Sequence, residues 1–357
     1  MPKESRARTG DAYTRAGVDV GRVRRIQSSL ASSFANTFEA RKGRFGAPAI
    51  AIGHYAGLID IGGQRLLAMH TDGVGTKVLV AQQMRKFDTV GIDCVAMTVN
   101  DLICLGSQPL ALLDYIALER EDEELVAQLT RGLVAGAEDA GVAIVGGETA
   151  IVSELLKGVD GYGFDLVSMG VGVVRKDALI DGSAIRQGDA VVGVASSGLH
   201  SNGYTLARKV FKGRNWEEEV EGLGETLGEA LLKPTKIYVR PTLATIKRRE
   251  VHGIAHITGG SFTKLTRLTA GRRLRFALKG IGAKNAPPIF GSLQREGKLS
   301  DAEMLATFNM GVGLCIITTP SEVEGVVREY ARMGFDARPV GSVTKGEGVV
   351  IDRLRIA

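Results

Sequence analysis

The chain has 357 residues, of which 44% are hydrophobic and 24% charged, a balance that excludes wholesale disorder and fits two globular domains. Glycine is the outlier, with 47 residues, about 13% against a usual ~7%. A net charge of +5 fits a small phosphorylated substrate as well as it fits nucleic acid, and the dispersion of Lys and Arg with only 5% aromatics argues against nucleic acid.

Only nine prolines accompany the glycines and no G-x-y period appears, so the chain is not collagen-like. The glycines instead mark places where backbone turns sharply or approaches a ligand. Cys94, Cys104 and Cys315 form no C-x-x-C pair, which excludes a zinc ribbon and a disulfide framework and predicts reduced thiols in a cytoplasmic protein. The first twenty residues are polar and basic, without the apolar core of a secretory signal. The most apolar stretch, 95–118, is broken by Asn100, Asp101, Pro109 and Asp114, so no membrane span and no membrane partner are expected.

In chain order, Ile26, Leu30, Phe34 and Phe38 recur every four residues and predict one face of a helix. Apolar runs at 58–61 and 66–69 around Gly62-Gly63 predict a hairpin. Helices are predicted at 78–86, 92–105 and 121–140. Strands are predicted at 110–118, at 142–145 as a short buried one, and at 164–174. The turn-rich segment 175–189 reads as the domain boundary, dividing 1–177 from 178–357. Beyond it, strands at 190–195 and 254–257 each lead through a Gly-rich loop into a helix. A strand at 312–318 precedes a helix at 321–333, and 337–342 with 348–351 reads as a closing strand pair. The pattern is α/β or α+β.

No window matches G-x-x-x-x-G-K-[ST], and the two G-x-G segments at 170–172 and 311–313 lack a third glycine and lie inside strands. Chemistry therefore has to come from other loops. His70-Thr71-Asp72-Gly73-Val74-Gly75-Thr76-Lys77 follows a strand and precedes a helix, where backbone N–H groups and Lys77 can meet an anion. Asp93, Asn100 and Asp101 share one face of an apolar helix. That face is either solvated or satisfied by a bound Mg²⁺, because an unpaired buried carboxylate is costly. Glu148 ends a strand after two glycines; with Asp72, Asp93 and Asp101 it supplies hard oxygen ligands suited to ATP–Mg²⁺. Two further Gly/Ser/Thr loops, 196–203 and 256–261, read as phosphate cradles or as helix caps. His200 could carry a proton near neutral pH or serve only as a hydrogen-bonding loop residue.

Eight ordered segments resemble the phosphoribosylformylglycinamidine cyclo-ligase (aminoimidazole ribonucleotide synthetase) family over roughly residues 11–345. They are H-T-D-G-V-G-T-K at 70–77, G-I-D-x-V-A-M-x-V-N-D-L at 91–102, P-L-x-x-L-D-Y at 109–115 and G-G-E-T-A at 146–150. S-S-G-L-H-S-N-G-Y at 196–204, P-T-K-I-Y-V at 234–239, H-I-T-G-G at 256–260 and T-F-N-M-G-V-G at 307–313 complete the set. The resemblance implies an α+β, two-domain fold, with an N-terminal half that forms a β-barrel in a homodimer and a C-terminal α/β domain. It implies ATP-driven closure of formylglycinamidine ribonucleotide to the aminoimidazole of purine biosynthesis, with ATP and Mg²⁺ as cofactors and a K⁺ requirement left open.

Carried over by motif, ATP binding falls to Asp72, Gly73, Gly75, Thr76, Lys77, Asp93, Asn100, Asp101 and Glu148, with Asp72, Asp101 and Glu148 toward the metal. Substrate binding falls to Ser197, Gly198, His200, Asn202, Thr258, Gly259 and Gly260. The catalytic groups implied are His200, Asp72 and Lys77. The chain departs from the family after Glu148, where Ile151-Val152-Ser153-Glu154 follows, and after Gly260, where Ser261-Phe262-Thr263-Lys264-Leu265-Thr266-Arg267 stands in place of E-N-x-P-R. The rival readings are other ATP-dependent enzymes of the same superfamily and a nucleotide-binding regulator without turnover.

Overall fold

The computed structural model describes Gly17 and residues 20–220 and 222–356. Apart from Gly17 and Val20, the polar first twenty residues lie outside it.

The first half is one six-stranded sheet. Its strands are β1 (Ala47–Pro48), β2 (Gly57–Asp60), β3 (Arg65–Gly73), β4 (Gln108–Leu118), β5 (Ala143–Ile151) and β6 (Phe164–Arg175), in the order β1-β2-β3-β6-β4-β5. The hairpin around Gly62-Gly63 is β2–β3, with Gly57 opposite Met69 and Asp60 opposite Leu66. Helices α1 (Val20–Ala35), α2 (Val78–Met84), α3 (Asp88–Ile103) and α4 (Glu123–Ala140) accompany the sheet. Asp122 caps α4 by accepting a bond from the Leu125 N–H, and Gly141 in the left-handed region ends it.

α3 covers one face of the sheet: the Thr98 hydroxyl meets that of Ser168 on β6 at 2.6 Å. α4 packs on α3 at very short range. A Cβ at Gly132 would stand 1.8 Å from the Asp88 carbonyl oxygen, so only glycine permits the crossing. The opposite face of the sheet carries Leu113, Tyr115 and Met169 and is open to solvent. β5 is longer than the sequence predicts and is exposed, with Val145 at 65%. It is an edge strand, so its apolar residues have a neighbour on one side only.

The second half is a seven-stranded sheet. Its strands are β7 (Ala190–Ala195), β8 (Gly253–His256), β9 (Leu274–Leu278), β10 (Val312–Thr318), β11 (Ala337–Lys345), β12 (Gly348–Ile351) and β13 (Leu354–Arg355), in the order β13-β12-β9-β11-β7-β10-β8. All seven residues of β10 are buried, and it lies between β7 and β8. Among the described residues this half has six α-helices: α5 (Tyr204–Val210), α6 (Leu227–Leu232), α7 (Val239–Ile246), α8 (Pro288–Gly297), α9 (Asp301–Thr307) and α10 (Val323–Ala331).

Two expectations change here. The closing strands 337–345 and 348–351 do not pair with each other; β9 lies between them, antiparallel to β11 and parallel to β12. The segment after Gly260 is a 3-10 helix, Ser261–Thr269, not an α-helix. The second sheet is mixed, with every pairing except β9–β12 antiparallel, in keeping with the α+β class expected for the whole chain. One apolar core runs through both halves, from Val95 and Val99 of α3 to Leu314 and Ile316 of β10. Among the described residues no helix is long and apolar enough to cross a membrane.

Candidate active site

A cleft of about 950 Å³ opens between the two halves. The first half contributes the end of β3, with His70 and Asp72, together with His54, Tyr55 and Asp101. The second contributes Asn202, Thr258, Gly259 and Gly260, then Lys264 and Arg267 from the 3-10 helix. Val23, Leu30 and Phe34 of α1 form an apolar wall; of the four-residue repeat seen in the sequence, only Leu30 and Phe34 line this cleft, Ile26 is exposed outside it, and Phe38 falls in the 3-10 segment Asn36–Arg41 beyond the helix.

Local conformation explains the placement. β3 ends in Asp72-Gly73, and Gly75 takes a φ of 68°, which starts the turn into the 3-10 segment Gly75–Lys77 and α2. β8 ends at His256, and Gly260 takes a φ of 82° where the chain enters the second 3-10 helix. A Cβ at Gly259 would meet Asn202 Oδ1 at 2.7 Å, so any side chain there would displace Asn202 on the cleft rim.

Asp101 is the electrostatic centre of the cleft floor. Its Oδ1 lies 2.7 Å from His256 Nδ1, and its Oδ2 lies 3.4 Å from His70 Nε2. Burial works to raise the Asp101 pKa, but the charge of Lys264, the His256 hydrogen bond and His70 hold it well below the ordinary carboxylate range. Burial lowers the His70 pKa, yet Asp72 and Asp101 more than offset it and leave the imidazole above its ordinary value. Asp72 Oδ1 accepts the Gly73 N–H at 2.8 Å, and its side chain is still 37% exposed. Burial depresses the Lys264 ammonium, with Asp101 pulling the other way.

The residues expected at the site separate into three groups. Asp72, Asp101, Asn202, Thr258, Gly259 and Gly260 line the cleft. Lys77, Asp93, Asn100 and His200 are fully buried between the halves and do not line it. Lys77 Nζ is 2.6 Å from Asp93 Oδ2 and also donates to the Lys233 carbonyl. Asn100 donates to the Lys236 carbonyl at 2.8 Å and accepts from the Tyr238 N–H at 2.9 Å. On the polar face of α3, Asp93 and Asn100 are thus engaged by buried protein groups from both halves, whereas Asp101 lines the cleft. His200 Nε2 accepts the Ser197 N–H at 3.4 Å, the ring has no exposed surface, and burial drives the His200 pKa well below its ordinary value. Ser197 donates to the Pro234 carbonyl, and Gly198 lies buried beside it.

The third group lies elsewhere. Thr76 is exposed beside Thr205, and Gly73 and Gly75 shape the turn without lining the cleft. Glu148 sits on β5 opposite Tyr115, on the outward sheet face, whereas Asp72 pairs with Ser168 on the inward face. Three strand spacings, roughly 14 Å, separate β3 from β5. Asp72, Asp101 and Glu148 therefore do not converge within one chain. Among the described residues no group of three or more His, Cys, Asp or Glu side chains is placed to hold a metal ion.

Sequence reasoning did not assign site roles to His54, Tyr55, His70, Lys264 and Arg267, all of which line the cleft. His70 could have been found from its place two residues before Asp72 on a strand end. The basic pair could have been found from its i, i+3 spacing just after the Gly259-Gly260 loop. Tyr55 carries no local signal.

Comparison with known proteins agrees with this architecture. The N-terminal domain family described as AIR synthase related protein matches residues 53–174, and its C-terminal counterpart matches 186–353. The fold is similar to that of AaThiL complexed with AMPPCP and TMP, with a TM-score of 0.64 and 16% identity over 91% of this chain and 93% of that one. It is also similar to Thermotoga maritima PurL complexed with ADP, with a TM-score of 0.57 and 16% identity over 85% of this chain and 44% of that one. The fold and its interdomain cleft thus define an enzyme of the AIR synthase related class.

Sequence similarity narrows the class. Phosphoribosylformylglycinamidine cyclo-ligase of Thermococcus gammatolerans is 45% identical over 96% of this chain and 98% of its own length. The Pyrococcus furiosus cyclo-ligase is 43% identical over 96% and 98%. The chain belongs to the phosphoribosylformylglycinamidine cyclo-ligase family.

Proposed function

We propose that the chain catalyses the ATP-dependent cyclisation of formylglycinamidine ribonucleotide to 5-aminoimidazole ribonucleotide, releasing ADP and phosphate, in de novo purine biosynthesis. The observation that carries this reading is the 45% identity to a cyclo-ligase over 96% of the chain. Fold neighbours bound to AMPPCP, ADP and ATP support ATP as the co-substrate.

The chemistry needs a good leaving group, because an amide oxygen leaves poorly. Transfer of the γ-phosphoryl group to the formyl oxygen turns that oxygen into a phosphate ester. The amidine nitrogen then attacks the formyl carbon, phosphate departs, and one proton is lost from the nitrogen. His70 is the cleft group suited to hold that proton, since Asp72 and Asp101 offset its burial and raise its pKa above the ordinary histidine value. Asp101 fixes His70 and His256 on either side of it. Asn202, Thr258, Gly259 and Gly260 form the polar rim that orients the substrate.

The donor set does not fit a resident Mg²⁺ centre: both Asp101 oxygens are engaged by histidines, and Glu148 faces the other way. We therefore place Mg²⁺ with ATP, as a co-substrate complex meeting the accessible Asp72 carboxylate. K⁺ is assigned no group. Lys77, Asp93, Asn100 and His200 are proposed to lock the two halves together instead of touching ATP or substrate.

We divide the chain at 177/178, with the nucleotide and dimer surface before that point and the substrate loops after it. The gap between the two sheets, β6 ending at Arg175 and β7 starting at Ala190, supports the division. The homodimer is proposed to form on the outward face of the first sheet through Leu113, Tyr115 and Met169, closing two such sheets into a barrel. An exposed apolar sheet face of this kind is otherwise an aggregation hazard.

The test is ADP release from Mg–ATP with and without formylglycinamidine ribonucleotide, with the aminoimidazole product followed in parallel. Equal amounts of ADP and imidazole, dependent on the ribonucleotide, are expected. ATP binding with no imidazole would move the chain to another substrate of the class.

A further inference from the structure

Lys264 and Arg267 sit three residues apart on the 3-10 helix Ser261–Thr269, a spacing that places side chains on the same side of such a helix. Both stand over one aromatic ring. Lys264 Nζ is 5.8 Å and Arg267 Cζ 5.4 Å from the Tyr55 ring centroid. Tyr55 is buried at 1% exposure and donates its hydroxyl to the Lys264 carbonyl at 3.2 Å, which fixes the platform. Among the described residues neither cation has a carboxylate within ion-pair distance or a side-chain hydrogen bond. Two half-buried positive charges held side by side repel, and a ring face compensates them only in part. They line the cleft together with Asp72 and Asp101, and the Asp101 charge acts on Lys264 without reaching ion-pair distance.

We propose that Lys264 and Arg267 form a two-cation clamp for the 5′-phosphate of the ribonucleotide substrate. This rests on the cyclo-ligase reading for the identity of the substrate, but not for the chemistry of the clamp. A phosphate monoester carries close to two negative charges at neutral pH, which matches the two cations. Arg267 can bind two phosphate oxygens in a fork, and Lys264 supplies a point charge. The Lys264 charge also bears on Asp101, so a phosphate held by the pair would lie in the same cleft as His70 and Asp72. The clamp also gives a role to the segment in which this chain departs from the E-N-x-P-R pattern.

The experiment has two arms. In the first, steady-state kinetics compare the wild type with Lys264→Gln, Arg267→Gln and Lys264→Arg. Each Gln variant is expected to raise the KM for the ribonucleotide roughly 10- to 100-fold, the usual effect of losing a charge-assisted hydrogen bond. The KM for ATP should stay within about twofold, and Lys264→Arg should recover most of the loss. A rise in the KM for ATP alone would overturn the proposal and assign the pair to the triphosphate. In the second arm, calorimetry titrates ribose 5-phosphate and ribose into each protein without ATP. The wild type should bind only the phosphorylated sugar, and both Gln variants should lose that binding while unfolding at the wild-type temperature. Unchanged ribose 5-phosphate binding in both variants overturns the clamp. If no imidazole forms in the wild type but the phosphate binding is lost in the variants, the clamp stands and the reaction assignment fails.

Discussion

Lys77 Nζ lies 2.6 Å from Asp93 Oδ2, and neither side chain has any surface open to solvent. The other Asp93 oxygen accepts the Thr235 N–H at 2.7 Å, the Thr235 hydroxyl at 2.6 Å and the Ser201 hydroxyl at 3.1 Å. One carboxylate thus ties the 3-10 segment Gly75–Lys77 and α3 to two loops of the second half. Removing one partner of such a pair strands a buried charge, at a cost of about 3–5 kcal/mol. Lys77→Met and Asp93→Asn should each lower unfolding stability by that order, and the double variant by clearly less than the sum. Denaturant unfolding of the four proteins checks this. Additive losses would mean the two side chains do not depend on each other.

Asp101 is expected to act through His70. In the wild type, Asp101 and Asp72 hold the His70 pKa above 6.5. Asp101→Asn removes one negative neighbour, so the histidine should titrate at lower pH. Turnover should fall at least tenfold, the usual scale of a mispositioned acid–base group, while the dimer persists. NMR titration of the imidazole together with the pH–rate profile reads both effects. A His70 midpoint that does not move would show that the 3.4 Å contact has no electrostatic weight.

His252 supplies a pH-dependent contribution to stability away from the cleft. Its Nδ1 is 2.7 Å from Asp189 Oδ2 and its Nε2 2.8 Å from Glu250 Oε1. Burial lowers its pKa, but the two carboxylates more than offset that, so the folded value is raised above the ordinary 6.5. A raised pKa means that the folded state binds the proton more tightly. The stabilisation is therefore complete below about pH 6.5 and is lost as pH rises through the folded value. The melting temperature of His252→Gln should lie below that of the wild type at pH 6, and the gap should narrow by pH 9.

Two glycines should separate binding from stability. At Gly313 a Cβ would meet the Tyr238 hydroxyl at 2.0 Å and His200 Cε1 at 2.5 Å in the packed interior, so Gly313→Ala should cost about 1–3 kcal/mol of folding stability. At Gly259 the clash is with Asn202 Oδ1, a side chain that can rotate on the cleft rim. Gly259→Ala should raise the KM for the ribonucleotide about tenfold, leaving the melting temperature within a few degrees. Thermal scans and kinetics on the same preparations distinguish the two effects.

The outward sheet face should govern assembly. Leu113→Asp and Tyr115→Glu place a charge on the proposed dimer surface without entering the core. Sedimentation should show a monomer for either variant and a dimer for the wild type. A dimer that survives both substitutions would place the interface elsewhere.

The sequence alone determined the local elements and the chemistry-bearing loops. The β2–β3 hairpin, α3 and α4 follow from apolar periodicity, glycine turns and caps, and all of these act within a few residues. The motif order carried the family. Which loop residues share a cleft was decided by the tertiary structure. Asp93 and Asn100 looked like metal or nucleotide ligands because their partners, Thr235 and Tyr238, lie 142 and 138 residues away. Glu148 carries the same motif weight as Asp72, but strand register puts the two on opposite sheet faces. His200 is withdrawn by burial that no local pattern encodes. Lys264 and Arg267 reach Tyr55 across more than 200 residues. Distance in sequence hides such contacts, because electrostatics and close packing act through space while the signals read from sequence act along the chain.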